Sequence, residues 1–197
     1  CPIGVQLAHA GRKGANHRPW EGGGPLPSDQ AWPIVAPSAI PHDEGWHRPH
    51  ALDAAGLAQV KAEFVEAAER ALRIGFDVVE LHAAHGYLLH QFLSPHSNRR
   101  DDSYGGSAEA RRKYPLEVMA AVREVWPADR VLGVRVSATD YIADGLAIED
   151  VCDFVAAARD LGCDFVDVSG GGVAAAQQIE LKPGYQVDYA TTIKNSV

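Results

Sequence analysis

Short apolar runs, most with a single polar residue in the middle, recur along this chain. The segments are Ile3–His9 (IGVQLAH), Phe76–His82 (FDVVELH), Val131–Ser137 (VLGVRVS) and Asp164–Ser169 (DFVDVS). Each is rich in valine or leucine and bounded by glycine or polar residues, the pattern of buried parallel strands. Helical periodicity fills much of the space between them. Ala54–Ile74 repeats apolar residues at Leu57, Val60, Phe64, Ala67 and Ala71, and Gly75 stands where a C-terminal glycine belongs. Ala108–Trp126 follows Ser107, a candidate N-cap, and stops before Pro127. Ile148–Leu161 is the third helix, closed by Gly162. Strands alternating with helices of this length predict a parallel α/β architecture.

The mid-strand polar residues are Gln6, Glu80, Arg135 and Asp167. Side chains alternate between the faces of a strand. If the valines and leucines pack under helices, these residues point to the other face, into a sheet surface or a barrel interior. Buried charges need partners, and Glu80 with Arg135, on consecutive strands, is the expected ion pair. Two readings stand: a lined ligand site, or a polar layer that satisfies itself.

Composition narrows the class. The chain has 197 residues, is 46% hydrophobic and carries a net charge of -8 with a pI near 5.5. That is one domain's worth of material, and the negative balance with no basic run argues against nucleic acid or an acidic membrane surface as partner. No apolar run is long enough to span a bilayer. Three cysteines without a CxxC pair suggest free thiols in a reducing compartment, hence a cytoplasmic protein. The first residues already read as strand, and "YATTIKNSV" reads as helix to its end. The expectation is a stretch of a longer chain, cut at both edges.

Chemistry concentrates at the ends of the strands. The irregular stretch Gly11–Arg48 leaves the C-terminal end of the first strand and holds three of the four tryptophans. A loop this long is either functional or a surface excursion. His9 and Arg12 stand at its start. His82 lies two residues beyond Glu80, on the same face and nearer the C-terminal end, where α/β barrels keep their chemistry. A turn through Ala83–Ala84 would bring His85 beside His82. Two neutral imidazoles would then aim two N–H donors at one point, suited to a carbonyl oxygen gaining charge. A metal pair and a purely structural pair are the competing readings, although no HExxH motif is present.

The run "HAAHGYLLHQFLSPHSNRRDDSYGGS", 26 residues from His82 to Ser107, resembles the signature of the Old Yellow Enzyme family of flavin-dependent ene-reductases. It is closest to the bacterial, thermophilic-like branch with His-x-x-His. "VQLAHAGRKG", "APSAIP" and "GYQV" resemble that branch too, so the likeness covers nearly the whole chain.

The resemblance implies a (β/α)8 TIM barrel with FMN at its C-terminal mouth, the four strands here being about the third to sixth. Residues 1–197 would form one partial FMN-binding barrel domain, lacking the first two strands and the last two, whose loops hold the FMN phosphate. It implies that Gln6 faces the pyrimidine edge of the flavin and that Arg135 stands near N1 and the C2 oxygen, where a cation favours reduced flavin. His82 and His85 would hold the oxygen of a small enone-type substrate, and Tyr87, or a water, would supply a proton. The implied activity is reduction of activated C=C bonds of α,β-unsaturated carbonyl compounds by NADPH or NADH. The segment alone is expected to be inactive, and assembly of the complete protein into a homo-oligomer stays open. Asn98, Arg99, Arg100 and Asp102 are expected to be a loop scaffold supporting the histidines, and His96 a surface residue. The alternatives are a metal-dependent barrel hydrolase using His9, His82 and His85, and a non-catalytic partial barrel.

Overall fold

A computed structural model describes residues 1–197. The chain opens with β1 (Gly4–Leu7) and passes into the long excursion, which contains 3-10 turns at Gly11–Lys13 and Pro19–Glu21. Within and after it, β2 (Val35–Ala36) pairs in parallel with β3 (His50–Ala51). Next come α1 (Ala54–Arg73), β4 (Val78–Ala83), the short α2 (Leu88–Leu93), α3 (Ala108–Val125), β5 (Val131–Ser137), α4 (Ile148–Asp160), β6 (Phe165–Ser169) and α5 (Val187–Ser196). The main sheet is parallel throughout, in the order β1-β4-β5-β6.

The helices begin and end for local reasons. Asp53 Oδ1 accepts the Gly56 N–H at 2.8 Å, and Ser107 Oγ accepts the Ala110 N–H at 3.1 Å. Each such cap is worth about 1 kcal/mol. Gly75 and Gly162, with φ of 91° and 87°, let the chain leave α1 and α4 in a left-handed conformation. Pro115 lies inside α3 without ending it.

Alternation along the strands sorts the two faces. Val79, Leu81, Leu132, Val134 and Val136 are buried with Leu57, Phe64, Val118, Val122 and Phe154 in one hydrophobic core under α1, α3 and α4. The buried stripe of α1 runs Leu57, Val60, Phe64, Ala68, Ala71, so Ala68 takes the place expected for Ala67. The stripe drifts because 3.6 residues make a turn. Gln6, Glu80, His82, Arg135 and Asp167 occupy the other face.

Register corrects the expected Glu80–Arg135 pair. Glu80 stands opposite Gly133 and Gln6, while Arg135 stands opposite His82 and Asp167. The two charges are one layer apart, so each takes the partner at its own level. Gln6 Nε2 donates to Glu80 Oε1 at 2.6 Å, and Arg135 Nε lies 3.1 Å from Asp167 Oδ2.

Tyr114, almost fully buried, ties α3 to α1 by donating its hydroxyl to the Leu57 carbonyl at 2.9 Å. Tyr114→Phe removes that bond between the two helices. The expected loss is about 1 kcal/mol of unfolding free energy, read as a lower urea midpoint with an unchanged m-value.

Candidate active site

The site is built where β4 runs out. His82 is 4% exposed on the polar face, and its Nδ1 accepts the Ala84 N–H at 3.1 Å. The chain then turns sharply. His85 adopts φ of 57°, a left-handed conformation that is strained for a residue with a Cβ. Its N–H donates to Ser137 Oγ at 2.9 Å, and Ser137 in turn donates to the Gly171 carbonyl at 2.9 Å. The turn also needs glycines. Gly86 and Gly172, with φ of 72° and 96°, bring the backbone of this turn against the loop after β6 so closely that a Cβ on either would strike backbone atoms.

The turn brings His82, His85 and Tyr87 together. His82 Nε2 and His85 Nδ1 are 3.3 Å apart, with ring centroids 5.0 Å apart and planes at 82°. His85 Nε2 lies 2.6 Å from Ser169 Oγ at the end of β6. Tyr87, at the N-cap of α2, meets His82 edge-on with centroids 4.8 Å apart. Burial pulls the His82 pKa down to about 4, helped by His85 and Arg135. Burial does the same to His85, helped by Arg135 and opposed by Asp167. Both imidazoles are therefore neutral at pH 7.

Arg135 stands beside His82 in the sheet register. Its Nε is buried but makes no directed hydrogen bond, despite the nearby Asp167 carboxylate. Gln6 lies farther down the face and is exposed.

Several further supports surround the turn, and of these only Arg12 was among the residues picked out from the sequence. Lys13 Nζ donates to the His85 carbonyl at 3.0 Å and the Gly172 carbonyl at 3.1 Å, pinning the turn to the loop after β6. Arg12 is fully buried and donates to the carbonyls of Ile40, Pro41 and Val173. Burial lowers its pKa to about 10 against the pull of Asp140, so it stays charged at neutral pH. Arg12 thus ties the long excursion to the site. Behind the turn, His90 Nδ1 accepts the Gly86 N–H at 2.8 Å while its Nε2 faces Asp140 Oδ1 at 2.9 Å, both side chains fully buried. Asp140 Oδ2 accepts from Ser94 Oγ at 2.6 Å and the Leu146 N–H at 2.7 Å. Burial would raise the Asp140 pKa, but the close His90 imidazole, with the bonds from Leu146 and Ser94, holds it below the ordinary value. Charges beside a strand's C-terminal end, as in Arg12 and Lys13, were a usable signal. His90 and Asp140 sit in ordinary-looking helix and loop segments and gave none.

Downstream, Asn98 Nδ2 donates to the Phe92 and Tyr104 carbonyls at 2.8 Å each. Arg100 donates to the Pro37 and Leu52 carbonyls and pairs with Asp102. His96, expected at the surface, is half-buried, and burial lowers its pKa. His9 stays out of the cluster, its Nδ1 accepting the Gly11 N–H at 3.0 Å. No group of three or more His, Cys, Asp or Glu side chains that could hold a metal is found, and His9, His82 and His85 do not form one. No helix is long and apolar enough to cross a membrane.

A parallel sheet covered by helices, with polar groups gathered towards the strands' C-terminal ends, is the arrangement of a portion of an α/β barrel, a fold that keeps its chemistry at that end. Comparison with known proteins gives the particular family. The model of the NADH:flavin oxidoreductase / NADH oxidase family matches residues 1–194, and the chain belongs to that family. It is 47% identical over 192 residues to an NADPH dehydrogenase of Geobacillus thermodenitrificans, covering 98% of this chain and 52% of the relative. Among solved structures it matches morphinone reductase with a TM-score of 0.71 at 29% identity, over 98% of this chain and 54% of that one. An old yellow enzyme homologue from Zymomonas mobilis matches with a TM-score of 0.71 at 23% identity, over 100% and 61%, and shares the fold. The chain spans about half the length of the curated relatives it matches. Its fold is part of a TIM barrel, and the family's cofactor is FMN with NAD(P)H as reductant.

The donor set suits a flavin. A carboxamide can both donate to and accept from a ring edge that alternates carbonyls with N–H. A guanidinium whose buried Nε lacks a directed acceptor suits an electron-rich ring oxygen or nitrogen.

The depressed pKa values of His82 and His85 have a consequence for pH. Each folded value near 4 lies below the ordinary 6.5, so the folded state resists protonation that the unfolded chain accepts. Their contribution to stability is complete above pH 6.5 and is lost as the pH falls through 4. Long-range ¹H–¹⁵N NMR is expected to find both rings neutral at pH 6, and urea midpoints are expected to fall as the pH drops from 6.5 towards 4.

Proposed function

We propose that the complete protein is an FMN-dependent oxidoreductase that reduces activated C=C bonds of α,β-unsaturated carbonyl compounds with NAD(P)H. On this reading residues 1–197 are a partial barrel domain, about strands three to six of the eight of a full barrel. The observation that carries the reading is the cluster of His82, His85 and Tyr87 at the C-terminal end of β4, with Arg135 level with His82 on β5.

Gln6 and Arg135 would hold the polar edge of the flavin. The chemistry FMN supplies when bound is hydride transfer. His82, buried, and His85, half-buried, both neutral, hold the carbonyl oxygen of the substrate by hydrogen bonds that strengthen as negative charge collects there. Withdrawal of electrons into that oxygen makes the β-carbon electrophilic. Tyr87, half-buried against His82, delivers its phenolic proton, directly or through water, to the α-carbon. The name morphinone reductase, of a structural neighbour at 29% identity, supports an enone as the substrate class.

In the complete protein, His82→Ala and His85→Ala are each expected to lower kcat/KM for 2-cyclohexenone by about 10²–10³-fold, the typical cost of losing one such donor. FMN content should stay near the parent's. Unchanged turnover in both variants rules out the oxygen clamp.

Arg135→Ala is expected to lower the flavin's reduction potential or to empty the protein of flavin, because it removes a permanent cation from the polar face. A potential equal to the parent's, with flavin fully retained, means that Arg135 serves Asp167 and the histidines alone.

A further inference from the structure

We propose that Asp167 tunes the flavin through Arg135: its carboxylate offsets part of the guanidinium charge and holds the reduction potential below the value that Arg135 alone would set. This rests on the reading that Arg135 stands at the polar edge of the flavin. It goes further by giving a second residue, of opposite sign, a part in the charge at that edge.

Geometry separates what Arg135 donates from the charge it carries. Asp167 is level with Arg135 across the β5–β6 ladder, and its Oδ2 lies 3.1 Å from Arg135 Nε. A carboxylate this close to a guanidinium commonly takes one or two hydrogen bonds in line with the N–H groups of the planar fork. Here Nε is buried and makes no directed bond, so the carboxylate lies off the N–H axis. Its charge reaches the guanidinium without taking a directed hydrogen bond from Nε.

Asp167 is also the anion at that level of the sheet. The other neighbour of Arg135 in register is His82, which is neutral at pH 7. Glu80 stands one layer away, where it accepts from Gln6 at 2.6 Å. The side chains of Arg135 and Asp167 are 33% and 43% exposed. A ring laid on this face would exclude water from the pair and strengthen its field. The two charges already act with opposite sign on a third group. Burial lowers the His85 pKa, Arg135 adds to that lowering, and Asp167 opposes it.

The same opposition bears on the flavin. A hydride brings two electrons and one proton to a neutral ring, so the reduced ring carries one negative charge until a further proton arrives. A cation at its polar edge favours that state and raises the potential. An anion beside the cation works against it. Such a balance suits a ring that must take hydride from NAD(P)H and then give it up to the substrate. An unopposed arginine would favour the first half and hinder the second.

The test is dye-equilibration potentiometry on the complete FMN-loaded protein at pH 7 and fixed salt. Asp167→Asn keeps the shape of the side chain and removes its charge. At a fixed poise its ratio of reduced to oxidised flavin should exceed the parent's by roughly three- to tenfold, the size of one charge's effect at several ångströms near a protein surface. Asp167→Glu keeps the charge and should return the ratio towards the parent's. A residue that only props Arg135 in place gives the opposite sign, because a displaced cation lowers the potential as Arg135→Ala does. The proposal is overturned by an Asp167→Asn ratio equal to or below the parent's, by loss of flavin from that variant, or by an Asp167→Glu ratio as high as that of Asp167→Asn. The placement of Arg135 fails separately, when Arg135→Ala keeps its flavin at the parent's potential.

Discussion

The hydrogen-bonded register of β4 against β5 is the constraint on which the rest of this site depends. It places His82 level with Arg135, and Arg135 level with Asp167 on β6. A slip of one residue would turn Arg135 towards the helices and expose Val134 and Val136 on the polar face. That slip is opposed by burial, because Val79, Leu81, Leu132, Val134 and Val136 are all within the core. Each fully buried valine or leucine side chain contributes about 1.5–3 kcal/mol relative to exposure. The hydrophobic face thus holds the polar face in alignment.

On that polar face the groups mostly satisfy one another in pairs. Gln6 bonds Glu80, and Arg135 neighbours Asp167. The layer is nevertheless not closed, since the Arg135 Nε has no directed acceptor and the Gln6 side chain is exposed. Self-satisfied layer and lined site are therefore not exclusive here. Burial keeps the two imidazoles neutral, and Arg135 adds to it, because a cation there discourages a second one at His82 or His85.

The strained turn from His85 to Tyr87 survives because it is held from several directions. Ser137 takes the His85 N–H, His90 takes the Gly86 N–H, and Lys13 takes the His85 carbonyl. These clamps come from β5, α2 and the excursion after β1, so the turn's geometry reports on the packing of all three. The long excursion accordingly serves the site as more than a surface loop, since its Arg12 and Lys13 are anchored to the loop that follows β6.

Period-two alternation and helical stripes were enough to read the parallel α/β class and its main strands and helices from the sequence, because those patterns are local. The strand ends shifted by up to two residues, with Ile3–His9 becoming Gly4–Leu7 and Asp164–Ser169 becoming Phe165–Ser169. Pairing to a neighbour strand, and not composition, decides where a ladder stops. The long motif from His82 to Ser107 pointed to His82, His85 and Tyr87 through family resemblance, and the folded chain brings these three together. Their arrangement needed the folded chain. Glu80 and Arg135 are compatible in charge and adjacent in strand order, yet register separates them by one layer. Nothing local marks His90 and Asp140 as a buried pair 50 positions apart in the chain, or Ser169 as the partner of His85, 84 positions away. Such contacts arise when helices and loops close over the strand ends, so sequence spacing carries no record of them. The sequence by itself determined which residues could face one another across a sheet; only the tertiary structure decided which of them met, because hydrogen-bond geometry is set by distances that the fold alone brings below about 3.5 Å.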